Sequence, residues 1–175
     1  YIGGNIFNGL IANNYYSTSI TYGSYLRANL DVKIENNTFI GGSAIWFYDS
    51  DNPSFGQLEI KNNSFVDNYY SIDLDSFNGV IIQGNLFNYN ENIAIDPIYG
   101  IYLRMCDGPI RILDNKIEAY ELRYGIQLSS CNGTSSPGLI ANNEINILSD
   151  PTYEDWGIFI TGGSWSPNTS HQDIY

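Results

Sequence analysis

Ile60-Lys61-Asn62-Asn63-Ser64-Phe65 is the stretch whose reading decides the fold. It runs as an apolar residue, two variable residues, Asn, one variable residue, then an aromatic or apolar residue. The same phrase returns at Ile2 to Phe7, Ile34 to Phe39, Ile82 to Phe87, Ile112 to Ile117 and Ile140 to Ile145. Self-similarity on this scale defines a repeat architecture before any propensity is weighed. The Asn-to-Asn spacings are 32, 26, 22, 30 and 28 residues, so each repeat keeps a constant phrase and varies elsewhere.

A second phrase alternates with the first: a small residue, then apolar, variable, apolar. It occurs as Gly23-Ser24-Tyr25-Leu26, Ala44-Ile45-Trp46-Phe47, Ser71-Ile72-Asp73-Leu74, Gly100-Ile101-Tyr102-Leu103, Gly125-Ile126-Gln127-Leu128 and Gly157-Ile158-Phe159-Ile160. Around both phrases the apolar residues alternate with period 2 over short runs, as in Val32-Lys33-Ile34 and Leu58-Glu59-Ile60, which marks strands. One coil is therefore a strand, a tight turn at Asn, a second strand, a loop, the Gly-Ile strand, and a second loop. Strands this short are not stable alone. Stacked at about 4.8 Å per coil they form parallel sheets around an apolar interior. The expectation is an all-β single-stranded solenoid of about six coils.

The Asn column has a structural task in such a stack. Asn5, Asn37, Asn63, Asn85, Asn115 and Asn143 are expected to form a ladder, each amide donating to one neighbour and accepting from the other. Asn also tolerates left-handed backbone geometry. An Asn phrase at Ile11 to Tyr16 lies too close to the first for another coil and is assigned to a loop. Repeats are expected over residues 1–163. Ser164-Trp165-Ser166-Pro167 opens an irregular tail or linker over residues 164–175. The chain opens inside a repeat at Tyr1-Ile2, so the coils are expected to be a segment of a longer polypeptide, with neighbouring coils or domains as partners.

These two alternating phrases resemble the right-handed parallel β-helix family, with repeats of the pectate-lyase-like kind, over roughly residues 2 to 163. The resemblance implies that the Asn turn lies between the second and third strands of each coil. The Gly-Ile strand is then the first strand, whose outer face commonly lines a saccharide groove. It does not imply an activity, because the fold hosts lyases, hydrolases, tailspikes, adhesins and binding modules.

Composition narrows the partners. Only 7 Lys and Arg stand against 19 Asp and Glu, for a formal net charge of −12. A nucleic-acid partner would call for a basic stripe, which is missing. No apolar run reaches the ~18 residues of a membrane span, so no membrane insertion is expected. Acidity of this kind serves solubility in the first place; Ca²⁺ held by carboxylates and carbonyls is the sharper reading. Low Lys with high Asn, Tyr, Ser and Gly suits an extracellular or cell-surface protein.

Strand alternation maps the outer face of the Gly-Ile strands. Tyr25, Arg27, Trp46, Tyr48, Tyr102 and Phe159 are candidate substrate-binding residues, aromatic faces covering apolar sugar faces. Asp73 and Asp75 point outward two residues apart, at roughly 6 to 8 Å. With Arg104 one coil along they form a candidate catalytic group for a polysaccharide lyase or glycoside hydrolase, and the two Asp a candidate Ca²⁺ site. The blander reading of the same residues is an exposed ion-pair ladder worth little. The chain lacks the Asn-Thr-Asp and Gly-His-Gly phrases of the polygalacturonase-like hydrolases, and His171 is its only His. A His-based triad is thereby excluded.

The leading expectation is a non-catalytic extracellular segment that binds polysaccharide or serves as an adhesin stalk, with no cofactor required. The alternatives are an enzyme acting on an extended acidic polysaccharide, and a purely structural fibre or tailspike-like piece. Cys106 and Cys131 occupy the same register in adjacent coils, about 5 Å apart if stacked, which allows a disulfide or a pair of buried free thiols. The sequons at Asn36, Asn62, Asn132 and Asn168 read as incidental in an Asn-rich chain.

Overall fold

The computed structural model describes residues 2–8, 18–22, 32–48, 57–91, 97–131, 138–148, 154–162 and 172–174. Three parallel sheets run the length of a solenoid, and each coil gives one strand to each. The first holds Ile2–Gly3, Val32–Glu35, Leu58–Lys61, Asn78–Gln83, Asp107–Leu113, Gly138–Ala141 and Gln172–Ile174. The second holds Ile6–Asn8, Thr38–Ile40, Ser64–Val66, Leu86–Tyr89, Lys116–Tyr120 and Glu144–Leu148. The third holds Thr18–Tyr22, Ser43–Tyr48, Tyr70–Asp75, Tyr99–Arg104, Tyr124–Ser129 and Trp156–Thr161. Among the described residues no helix is long and apolar enough to cross a membrane.

Register turns the sequence phrases into columns. In the first sheet Ile2, Ile34, Ile60, Ile82, Ile112 and Ile140 follow one another coil by coil. In the second, Phe39, Phe65 and Phe87 align and their rings stack at 5.1 and 4.8 Å, nearly parallel. In the third, Ile45, Ile72, Ile101 and Ile126 form one inward column and Phe47, Leu74, Leu103 and Leu128 another. All of these except the partly buried Ile2 are removed from solvent. At about 25 cal/mol per Å² of apolar surface, a stripe repeated coil after coil is what holds such short strands together.

The Asn turn joins the first and second sheets. Each ladder Asn donates its backbone N–H to the Oδ1 of the next, from Asn5 through Asn37, Asn63, Asn85 and Asn115 to Asn143, at 2.9–3.0 Å. The left-handed backbone, however, falls on the residue before each ladder Asn: Gly4, Asn36, Asn62, Gly84, Asp114 and Asn142 all have φ between 54° and 70°. That explains the Gly-Asn, Asn-Asn and Asp-Asn pairs, because these are the residue types that enter this region at least cost. It also gives the exposed Asn36 and Asn62 a turn role of their own.

At the first coil and near the C-terminal end the strands fall where the phrases did not place them. The first coil's strand in the third sheet is Thr18–Tyr22, with Ile20 opposite Ile45 and Thr21 opposite Trp46. The phrase Gly23-Ser24-Tyr25-Leu26 had been expected there; Tyr25 and Arg27 lie outside the described residues, as does Ile11 to Tyr16. The run Thr18-Ser19-Ile20-Thr21-Tyr22 is rich in β-branched residues, which suit a strand. Within the expected irregular tail, Gln172–Ile174 pairs with Gly138–Ile140 as a strand of the first sheet.

Cys106 and Cys131 are both buried free thiols. The Cys131 sulfur lies against that of Cys106, and this contact together with burial pushes the Cys106 thiol up. Each also donates to a carbonyl of the preceding coil, Cys106 to Leu74 and Cys131 to Leu103.

Candidate functional site

The outer face of the third sheet presents two columns. One passes through Trp46, Asp73, Tyr102, Gln127 and Phe159, the other through Tyr48, Asp75, Arg104, Ser129 and Thr161. Trp46 is exposed, while Tyr102 and Phe159 are half-buried with one side free, as the alternation predicts. Tyr48 is placed by its backbone alone, opposite Asp75; its side chain lies outside the described residues. Gln127 carries a buried Oε1 with no hydrogen-bond partner among the described residues.

A third column escaped the sequence reading. Tyr70, Tyr99, Tyr124 and Trp156 stand in register at the start of the same strands. The Tyr70–Tyr99 and Tyr99–Tyr124 rings stack with centroids 5.5 Å apart. Tyr102 lies over Tyr99 at 4.6 Å, and Phe159 contacts both Tyr124 and Trp156 at 5.4 and 5.0 Å. Tyr69 meets Tyr70 edge-on, and the Arg123 guanidinium covers Tyr124 at 5.5 Å. Offset stacks of this kind each add about 0.5–1.5 kcal/mol to simple burial. The result is a continuous aromatic band along the solenoid axis.

The signal for that column was present in the sequence as an aromatic residue directly before the small one: Tyr70-Ser71, Tyr99-Gly100, Tyr124-Gly125 and Trp156-Gly157. Gly is there because the coils approach closely. A Cβ on Gly100 would stand 2.7 Å from the Gly125 carbonyl oxygen, and one on Gly125 2.6 Å from that of Gly157.

The three charged residues at the centre divide into a pair and a single group. Asp75 was expected to face solvent, but its carboxylate is buried. The Arg104 guanidinium folds over it, donating from Nε to Oδ2 at 3.1 Å and from a terminal nitrogen to the same oxygen. Ser76 closes the other side, its Oγ donating to Oδ1 at 2.9 Å. Alternation gave the direction of Asp75 correctly; the long side chain of the next coil supplied the cover. The pair is consequently not an exposed ladder, and Asp75 has its acceptors occupied.

Asp73 is different. It has no hydrogen bond or ion pair among the described residues and stands half-buried between Trp46 and Tyr102. Burial raises its carboxyl to about 6, with the Arg104 charge opposing and the Asp75 charge adding to the rise. The hydroxyls of Tyr70, Tyr99 and Tyr102 are likewise pushed up, first by burial and in part by the Asp73 charge. Among the described residues there is no group of three or more His, Cys, Asp or Glu arranged to hold a metal ion.

A carboxyl raised in the folded state binds its proton more tightly there than in the unfolded chain. Its contribution is favourable at low pH and is lost as pH rises between about 4 and about 6. Asp73→Asn is therefore expected to stabilise the protein by about 1–2 kcal/mol above pH 6, after discounting for partial exposure, and to leave it unchanged at pH 4. Urea unfolding at the two pH values measures this, and equal effects at both would contradict it.

A family model described as "right handed beta helix region" matches residues 1–117. No curated protein and no solved structure matches the chain.

Proposed function

The chain belongs to the right-handed β-helix family, and from that fold and the aromatic band on its third sheet we propose that it is a polysaccharide-binding segment of a secreted or surface protein, non-catalytic in itself. The family's architecture supports a structural or carbohydrate-associated repeat domain. The observation that carries the finer reading is the column Tyr70–Tyr99–Tyr124–Trp156 with Tyr102 and Phe159 beside it. Its half-buried rings repeat once per coil, so an extended polymer of like units meets a like surface at each step. Stacking between coils accounts for the contacts among the rings, and the polysaccharide reading accounts for their exposed share.

The enzyme reading draws less support. Hydrolysis by a carboxylate pair needs both members free to exchange protons or attack, and Asp75 is held by Arg104 and Ser76. The same pairing occupies Arg104, the base that a lyase reading would use. Extracellular or surface placement rests on composition and on the glycan reading itself.

Glycan-array binding followed by titration tests the proposal. Trp46→Ala and Tyr102→Ala are each expected to weaken binding at least about tenfold, a loss typical of removing one aromatic contact. Absence of binding to any glycan would sink the proposal. Release of reducing ends, or unsaturated uronate absorbance, would replace it with the enzyme reading.

A further inference from the structure

The charge balance of the band points to the kind of sugar it takes, an inference that rests on the polysaccharide reading above. Arg104 and Asp75 neutralise one another, and the charge of Arg123 lies further along, over the Tyr124 ring. What is left at the centre is the Asp73 carboxylate, without a hydrogen bond or ion pair among the described residues, flanked along its column by Trp46 and Tyr102. Tyr70 and Tyr99 stand close enough for the Asp73 charge to act on their hydroxyls. A carboxylate among aromatic faces is a setting for a cation: the ring quadrupoles attract it and the carboxylate pairs with it. It is also hostile to an acidic polymer, which would bring like charge to Asp73 in a protein already at −12.

We propose that the band binds a polysaccharide bearing free amino groups, with the ammonium of one sugar seated at Asp73 between Trp46 and Tyr102 and neighbouring sugars running along the outward edges of the stacked tyrosine column. A polymer of glucosamine has this chemistry: one amine per unit, apolar ring faces, and a repeat that lets several units contact the band together. The amine gains a charge partner that is half-desolvated. The carboxylate gains the hydrogen bonds that no side chain in the described structure gives it. The groups that face Asp73 are Asp75, Arg104 and the hydroxyls of Tyr70, Tyr99 and Tyr102. Asp73 takes up a proton near pH 6, so binding weakens below that point although the ligand amine stays charged.

The test is titration calorimetry near pH 6.5 with three sugars kept short enough to stay soluble: polyglucosamine of about six units, the same material after N-acetylation, and polygalacturonate of like length. The expected result is preference for the free amine, a loss of about tenfold on acetylation, and no binding of polygalacturonate. Asp73→Asn is expected to lower affinity for polyglucosamine about tenfold while leaving the acetylated polymer almost unaffected. It is near-isosteric, so its fold is checked by melting. Glu118→Gln removes one charge from the second sheet, where Lys116 pairs with it, and is expected to change nothing.

Several results overturn the proposal. If Glu118→Gln loses as much as Asp73→Asn, the attraction is a general one between an acidic protein and a polycation. If the acetylated polymer binds equally, or Asp73→Asn is silent, or polygalacturonate is preferred, the amine has no seat at Asp73 and the wider glycan reading survives. If the wild-type protein binds none of the three, both readings fall.

Discussion

Asn63→Ala is expected to cost about 3–4 kcal/mol, seen as a lower urea midpoint. The Asn63 side chain is buried. Its Nδ2 donates to the Ile34 carbonyl at 2.9 Å and to Asn85 Oδ1 at 3.1 Å. Its Oδ1 accepts the Asn37 backbone N–H at 2.9 Å and Asn37 Nδ2 at 3.1 Å. Alanine deletes all four contacts and strands the Asn37 N–H and the Ile34 carbonyl where water does not reach. Each stranded backbone group costs about 1–3 kcal/mol, and the Asn85 oxygen keeps only its bond from the Asn63 backbone. The adjacent Asn62 is the control. It is exposed with φ 54°, so Asn62→Gly is expected to be neutral or slightly stabilising. A drop in the unfolding slope with the midpoint would mean that the stack has split at this coil. A loss under about 1 kcal/mol would mean that the ladder does not hold the turn.

Phe65→Ala is expected to be at least as damaging, at about 3–5 kcal/mol. Phe65 is the middle ring of three, stacked on Phe39 and Phe87. All three are fully buried. Removing it takes away two ring contacts and leaves a void floored by Ile60 and Ile72 columns that are themselves locked in register. Strands cannot close the gap, because their separation is fixed by the ladder hydrogen bonds on either side. Thermal unfolding should show a fall of about 10 °C for a protein this size. Phe65→Leu keeps most of the volume and is expected to cost under about 1.5 kcal/mol. Equal effects from the two variants would show that ring stacking, not volume, carries the energy.

What could be read from the chain followed from periodicity. The Asn phrase located the turn and the ladder, and the alternation named the inward Ile and Phe columns. It also placed Trp46, Tyr102 and Phe159 outward. What escaped it depends on neighbours in the next coil. Asp75 faces outward as its position requires, yet Arg104, 29 residues later, covers it. The aromatic column joins rings that stand one coil apart, a contact that no single coil contains. In the first coil Tyr22-Gly23-Ser24-Tyr25-Leu26-Arg27 imitates Tyr99-Gly100-Ile101-Tyr102-Leu103-Arg104 in sequence, while the strand that pairs with Ser43–Phe47 is Thr18–Tyr22. The left-handed residue was sought in the ladder Asn itself, and lies one position before it.

The amide ladder also has a blind spot. Its links are chemically identical and all point the same way, each N–H toward the Oδ1 of the following coil. A chain that skipped a coil while folding would still satisfy every amide. Coil identity must therefore be written elsewhere, in pairs that occur once. Asp75 with Arg104, Ser71 with Tyr89, and Cys106 with Cys131 each join two adjacent coils and have no equivalent one coil away among the described residues. These unique pairs work as address labels on a stack whose common fastening cannot count.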